Sequence, residues 1–387
     1  MKILGMISGT SFDGIDYFVG DFAIDGPVIT MTRIDAGSMR YPDSLHAKLV
    51  KALPPAATSA FDMCVIDTLV GQAFARTAQE VAVRNPGVEL VVSHGQTIYH
   101  WIDDSGRAQG TLQMGNPSWI AERTGLPVVS DVRSRDVVVG GQGAPLVSLL
   151  DVLLLGQSNR RVGALNLGGI SNITVAGGGE DPVAYDIGPA NALLDAVIQR
   201  VTSGRLSYDQ DSAMARLGKV NTKWLAEFLA EPYYAQEPPK STGKELFNLD
   251  YVERITGPAT EGRGPDLLAT LTELTCVTVM NEVRALNLDV LYLAGGGTAN
   301  PLMMERMKAL SGSTAVELMS RLGVDPREKE PALFALIGLL TIHGLPGNVP
   351  SCTGAAGPRI LGSITPGRGP LTLPPIHSEP ITQLVIA

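Results

Sequence analysis

The sequence predicts an α/β protein built in two halves, on three observations. First, GMISGTSFDGIDYFVGDF (residues 5–22) reads as two apolar strands joined by a turn of glycines, hydroxyls and carboxylates, and VGALNLGGISNITVAGGG (residues 162–179) repeats that design in the second half of the chain. Second, strands alternate with helical stretches elsewhere, as in a protein with substantial sheets covered by helices. Third, 387 residues exceed one ordinary core and suggest about two or three domains, enough for a cleft between lobes.

Each element has its own signal. Ile3 to about Tyr41 reads as a meander of three strands, ILGMISGT, IDYFVGDFAI and PVITMTRIDAG. PDSLHAKLVKAL and SAFDMCVIDTLVGQAFARTAQEVAVR carry apolar residues at helical spacing, and VELVVSHG is a short buried strand ending in His94 and Gly95. A loop-rich segment follows and leads to GGQGAPLVSLLDVLLL, where Pro145 suits the first turn of a helix. A domain boundary is expected near Asp131. In the second half, VAYDIGPANALLDAVIQRV turns from strand to helix at Pro189, and a long helix is expected from Pro265 to Leu286. LDVLYLAGGGTANPLMMERMKAL is a buried strand, a triple glycine and a helix opened by Asn300 and Pro301. The helix in REKEPALFALIGLLTIHG is expected to begin at Glu330, because Pro331 is tolerated only in a first turn. The Gly- and Pro-rich remainder reads as ordered loops and short strands, with a mobile tail as the alternative. The expected lobes are residues 1–131 with about 346–387, and residues 132–345.

Composition narrows the function. With 44% hydrophobic and 18% charged residues the chain is of globular type, and no run of about 18 apolar residues is present to span a membrane. Met1 to Ser8 lacks the length and cleavage site of a secretory signal, so a cytoplasmic protein is expected. Cys64, Cys276 and Cys352 lie far apart and read as buried free thiols rather than as a disulfide framework or zinc site. A net charge of −9 and the lack of a long basic run argue against nucleic acid as partner. The expected partner is a small molecule, held, if anionic, by local dipoles or a metal.

Three glycine-rich turns follow strands: Ser8, Gly9, Thr10, Ser11, Asp13 and Gly14 with Asp16 beyond; Gly168 and Gly169 to Asn172; and Gly295, Gly296 and Gly297 to Asn300. Glycine lets backbone N–H groups approach a phosphate, and nearby hydroxyls add donors. Singly, each turn is as well read as a tight hairpin or helix cap. Jointly, with Asp13 or Asp16 to hold Mg²⁺, they favour a nucleotide tail; Asp13 is the expected metal ligand. No Walker A loop or dinucleotide fingerprint is present, which leaves the paired-hairpin kind of phosphate site. Such hairpins, opposed across a cleft, are found in the superfamily of actin, heat-shock ATPases and sugar kinases. Asp186, at the end of VAYD and just before a helix, suits a general base, with a helix cap or charge partner as the plainer alternative. His94, Gln96 and Thr97 form a polar cluster after a buried strand that suits contact with a sugar substrate, with a satisfied loop network as the equally good alternative. Arg133, with Asp131 and Asp136 nearby, suits either an ion-pair network or an anchor for an acidic substituent.

These residues lie in stretches that resemble the anhydro-N-acetylmuramic acid kinase family: SGTSFDGID, SHGQTIYH, TLQMGNPSWIAERTGLPVVSDVRSRDVVVGGQGAPL, NLGGISNIT, DIGPANALLD, PPKSTGKELF, AGGGTANPLM and GAAGPRILGSITPG. The resemblance covers nearly the whole chain. It implies a two-lobed actin-like, sugar-kinase ATPase fold with duplicated ribonuclease H-like domains, ATP and Mg²⁺ as cofactors, and usually a homodimer. It implies that Gly9 to Asp16, Gly168, Gly169 and Gly295 to Gly297 bind the ATP phosphates and that Gln96, Thr97, Arg133 and Glu330 contact the sugar. Asp186 falls on the family's catalytic aspartate, which activates water to open the anhydrosugar while its 6-oxygen is phosphorylated, in cell-wall recycling. The family commonly has Asp, Gly, Arg and Ala where Asn116, Ala190, Lys244 and Pro331 stand. Alternatives are a levoglucosan-type anhydrosugar kinase and a non-catalytic sugar-sensing protein of the same ATPase fold.

Overall fold

The computed structural model describes residues 1–9, 12–53, 56–238 and 240–387. The opening meander forms as β1 (Lys2–Ser8), β2 (Gly14–Asp25) and β3 (Val28–Arg40), followed by helices α1 (Asp43–Lys51) and α2 (Ala60–Arg84). Ser59 begins α2 with a capping box, its hydroxyl accepting from Asp62 N while the Asp62 carboxylate accepts from Ser59 N. Next come β4 (Val88–Ile102), β5 (Ala108–Met114), α3 (Pro117–Thr124), β6 (Val128–Ser130), α4 (Ser134–Val138) and α5 (Ser148–Leu155). The segment expected to be loop-rich is therefore largely a hairpin. The Asp103 carboxylate accepts from the backbone N of Ser105 and Arg107, which closes the turn between β4 and β5. Pro145 precedes α5 rather than sitting in its first turn.

The second half supplies β7 (Arg161–Leu167), β8 (Ile170–Gly177), β9 (Val183–Pro189), α6 (Asn191–Val201), α7 (Thr222–Leu229), α8 (Leu249–Thr256), α9 (Gly264–Ala285), β10 (Val290–Ala294), α10 (Pro301–Leu310) and β11 (Ala315–Leu318). The chain then adds α11 (Lys329–Ile342), α12 (Pro350–Thr353), β12 (Ser363–Thr365) and β13 (Gln383–Ile386). The C-terminal tail is thus tied into a sheet, β13 pairing in parallel with β3.

Two compact units result, residues 1–157 with 322–387, and residues 158–321. The boundaries expected at 131/132 and 345/346 both fall inside the first unit, because α5 and α11 pack on its sheet: Leu149, Leu150 and Leu153 of α5 and the Ala332–Ile342 face of α11 share a core with Ile3, Ile7, Phe18 and Phe22. The opposite face of the same strands, Leu4, Met6, Ile15, Tyr17 and Val19, packs on α1 and α2. That alternation is the two-residue period of a strand buried on both sides. α11 is buried almost all round, which an apolar helix with no polar face requires.

The first sheet runs β12-β6-β4-β1-β2-β3-β13 with β5 on β4, and the second runs β11-β10-β7-β8-β9. Within each, a central strand pairs antiparallel with the next strand of its meander and parallel with a later one: β1 with β2 and β4, β7 with β8 and β10. The order β3-β2-β1-β4-β6 is matched by β9-β8-β7-β10-β11, so the two hairpins seen as a repeat in the sequence open two copies of one topology. The duplication is the one expected from the two hairpin-led halves of the sequence. Among the described residues no helix is long and apolar enough to cross a membrane. Cys276 and Cys352 are buried free thiols as expected, but Cys64 is exposed, since it lies on the solvent side of α2.

Candidate active site

In the first unit the polar turn leaves β1 at Ser8 and returns as β2 at Gly14. Thr10 and Ser11 lie outside the described residues. Phe12 buries its ring and adopts a left-handed backbone (φ 59°), an uncommon conformation for a bulky residue, so packing holds this turn in a shape that local preference disfavours. Ser8 Oγ lies 2.6 Å from both Gly14 O and Gln96 Oε1. Gln96 Nε2 donates to Gly9 O at 3.0 Å. Ser8 and Gln96 are both buried, with their side-chain capacity spent on fixing the turn. Asp13 is exposed at the turn and Asp16 is half-buried on β2. Among the described residues no cluster of three or more acids, histidines or cysteines is placed to hold a metal by itself. One or two carboxylates at a phosphate-binding turn are nonetheless the usual protein share of an Mg²⁺ site, because Mg²⁺ keeps water and phosphate as its other ligands.

His94 is buried, and both its ring nitrogens are used. Nδ1 faces Gly95 O at 3.0 Å and Nε2 faces the donating Nε of Arg133 at 2.7 Å. An acceptor role at Nε2 fixes the neutral tautomer with the proton on Nδ1. Burial, followed by the Arg133 charge, holds this imidazole well below its ordinary pKa. Arg133 also donates through Nη1 to Gly143 O at 2.6 Å. Asp136 instead accepts from Gly143 N, Asn348 and Thr353, so the ion-pair network with Arg133 does not form among the described residues. Thr97 Oγ1 accepts from Gln113 Nε2 at 3.2 Å. His94 also lines a polar pocket of about 360 Å³ with Asp67, Gln113, Asn116 and Asp131.

Glu330 is the second residue of α11, and Pro331 sits within the same first turn as expected. Its side chain is open to solvent yet crowded by protein. Lost hydration raises its carboxyl above the usual range, Arg133 opposes that shift, and Asp16 adds to it. Lys329 beside it is buried against Asp151 of α5, Nζ to Oδ1 at 2.6 Å.

In the second unit, the second and third glycine turns come together at the end of β7. A Cβ on Gly295 would stand 2.5 Å from Asn166 Oδ1 and 2.7 Å from Leu167 O, and the residue has φ 84°, so only glycine fits there. Asn191, opening α6, donates to Leu167 O and Gly168 O at 3.0 and 2.8 Å. Asn300 caps α10, its Oδ1 accepting from Met303 N and from Ser212 Oγ, which uses that oxygen structurally.

Asp186 lies on β9 opposite Asn172, at a register shift that leaves Ile187 without a partner on β8. It is not a helix cap, since α6 is preceded by Ala190. Ser241 Oγ and Thr242 N donate to its Oδ2 at 2.9 and 3.0 Å. Among the described residues no hydrogen bond reaches Oδ1. Burial raises its pKa, the two hydrogen bonds oppose the shift, and Glu245 adds to it. Sequence reasoning gave Ser241 and Thr242 no part in this site. The only local hint was the polar island KSTGKE. A cavity of about 550 Å³ in this unit, between α7, α9 and α10, contains none of the predicted residues.

The family model described as anhydro-N-acetylmuramic acid kinase matches residues 1–367. The chain belongs to that family. An anhydro-N-acetylmuramic acid kinase of Streptomyces avermitilis is 47% identical over 389 residues, with 100% of each chain covered. Those of Streptomyces coelicolor and Rhodococcus erythropolis are each 45% identical, the former covering 98% of this chain and 97% of its own, the latter 100% of both. As a member of this kinase family the protein is a phosphotransferase with an alcohol group as acceptor, and it uses ATP. Lys244, where the family commonly has arginine, extends toward the second glycine turn: its Cε is 3.7 Å from the position a Cβ would take on Gly169.

Proposed function

We propose that the protein hydrolyses the anhydro bridge of 1,6-anhydro-N-acetylmuramic acid and phosphorylates its 6-oxygen with ATP and Mg²⁺, giving N-acetylmuramic acid 6-phosphate in cell-wall recycling. The reading is supported above all by the carboxylate of Asp186, gripped through one oxygen, unbonded at the other, and with a raised pKa that suits a general base. Asp186 takes a proton from water as the water oxygen bonds to the anomeric carbon. The bond from that carbon to the bridging 6-oxygen breaks, the 6-oxygen accepts the γ-phosphoryl group, and ADP leaves. Phosphoryl transfer asks mainly for positioning and charge neutralisation; backbone amides of the glycine turns supply the first, and Asp13 or Asp16 would hold an Mg²⁺ that would supply the second. Arg133, oriented by His94, is the cation for the acidic lactyl group, and Thr97 and Glu330 meet hydroxyl and amide groups of the sugar. Gln96 and His94 act behind them, shaping the turn and holding the arginine. The neutral sugar levoglucosan has no use for that arginine. We place the enzyme in the cytoplasm, as a homodimer.

The decisive experiment is turnover in H₂¹⁸O with the product read by mass and fragmentation. The expected product has gained one water and one phosphoryl group, with the label at the anomeric hydroxyl. Label in the phosphate would overturn the reading, and so would faster turnover of levoglucosan than of the muramic sugar.

A further inference from the structure

Behind Asp186 lies a buried ammonium that the proposed reaction does not use. The Lys240 side chain is only 2% exposed. Its Nζ donates to Glu282 Oε1 and to Tyr234 O, each at 3.3 Å, and lies over the rings of Tyr185 and Tyr233 at 5.5 and 5.4 Å from their centroids. A buried charge is costly unless fully partnered, and an apolar side chain of similar volume often serves stability as well or better. The lysine therefore calls for a reason other than filling space.

The wiring of its partners supplies one. Lys240 O accepts from Asp186 N at 3.2 Å. Tyr233 OH donates to Asp186 O at 2.7 Å. Tyr185, the neighbour of Asp186 on β9, donates its hydroxyl to Glu282 Oε2 at 2.9 Å, and Glu282 comes from α9. Ser241 and Thr242, which follow Lys240 directly, hold the carboxylate itself. Both ring faces that meet the ammonium thus belong to residues bonded to Asp186, and the same lysine sets the start of the segment that grips Oδ2. The link from Lys240 to Asp186 runs through these hydrogen bonds and the chain itself.

We propose that Lys240 is a positioning residue for the catalytic base: its ammonium, fixed by Glu282 between Tyr185 and Tyr233, locks the 240–242 segment so that one oxygen of Asp186 is held and the other stays free for the proton. This rests on Asp186 being the base, and the test separates the two claims.

The experiment measures kcat and KM for ATP and sugar in Lys240→Met, Lys240→Arg and Ser241→Ala, each alone and combined with Asp186→Asn, using radiolabelled ATP to follow residual turnover. Lys240→Met should lower kcat about a hundredfold, as misplacement by about 1 Å does, with both KM values within about twofold. Lys240→Arg, which keeps a cation in the cage, should recover part of the loss. In the Asp186→Asn background Lys240→Met should cost less than about twofold more, because residues acting as one unit are not additive. Multiplicative losses, a KM effect at unchanged kcat, or wild-type turnover in Lys240→Met would each overturn the proposal. Should Lys240→Met not fold, Ser241→Ala decides: a kcat loss confined to the Asp186 background supports the locked segment, and no loss or an equal loss in both backgrounds refutes it. An active Asp186→Asn enzyme would remove the base assignment and this inference together. A silent one beside a fully active Lys240→Met would remove only the inference.

Discussion

At position 186 two influences pull against each other: burial disfavours the ionised carboxylate, while Ser241 and Thr242 favour it, and burial wins. Because the folded pKa lies above the unfolded one, the ionised form destabilises the fold at neutral pH, and this cost disappears below the unfolded pKa. Asp186→Asn, which removes the proposed general base, should cost about a hundredfold to ten-thousandfold in kcat while leaving nucleotide affinity intact. Its melting temperature should exceed that of the wild type at neutral pH, by a margin that shrinks on acidification. Calorimetry across pH with parallel titration of an ATP analogue checks both halves. His94 has the opposite sign. Its folded pKa lies below the ordinary histidine value of 6.5, so nothing is lost above that pH, and stability falls as acidification protonates the unfolded chain first. His94→Gln should flatten that acid-side loss of melting temperature, and a variant as steep as the wild type would show that His94 is not held neutral. Asp186 and Arg133 were legible in the sequence as chemistry-bearing types beside strand ends. That Ser8, Gln96 and His94 are spent inside the protein was not, since each partner is chosen by packing between distant segments.

The element that carries Glu330 depends on one close approach. A Cβ on Gly5 of β1 would stand 2.1 Å from Pro331 O and 2.6 Å from Ala335 N, so α11 lies against the strand backbone with no room for a methyl group. Gly5→Ala should cost about 3 kcal/mol, the upper end for overpacking because the obstacles are backbone atoms. Urea titration should show a lower midpoint at unchanged slope, and KM for the sugar should rise as the first turn of α11 shifts. A variant with a wild-type midpoint would mean that the helix stands further off. The start of α11 was readable, because proline admits only a narrow choice of positions. The β4–β5 hairpin was not: Tyr99, Trp101, Ile102 and Leu112 are exposed, and strands that show apolar groups to solvent lack the alternation that announces a half-buried sheet.

For the molecule as a whole, the repeated strand order has a consequence for folding. The second unit is one continuous segment with its own core, from Leu165 on β7 to Met307 on α10, whereas the first needs both ends of the chain. Residues 158–321 expressed alone should unfold cooperatively, yet without turnover, since the residues proposed to hold metal and sugar, Asp13, Arg133 and Glu330, belong to the other unit. A fragment without a sigmoidal transition in circular dichroism would show that the second unit depends on the first. The tertiary structure moved both expected boundaries because α5 and α11 read alike as apolar helices whichever sheet they cover. The sequence by itself determined the α/β class, the two hairpin-led halves, the glycine turns and the family, because hydrophobic period and turn chemistry act within a few residues of chain. Only the tertiary structure decided which atoms hold Asp186, through a serine 55 positions away, and which polar groups remain free for a ligand. Burial leads most polar atoms to find a partner, and that partner is found in space rather than along the chain.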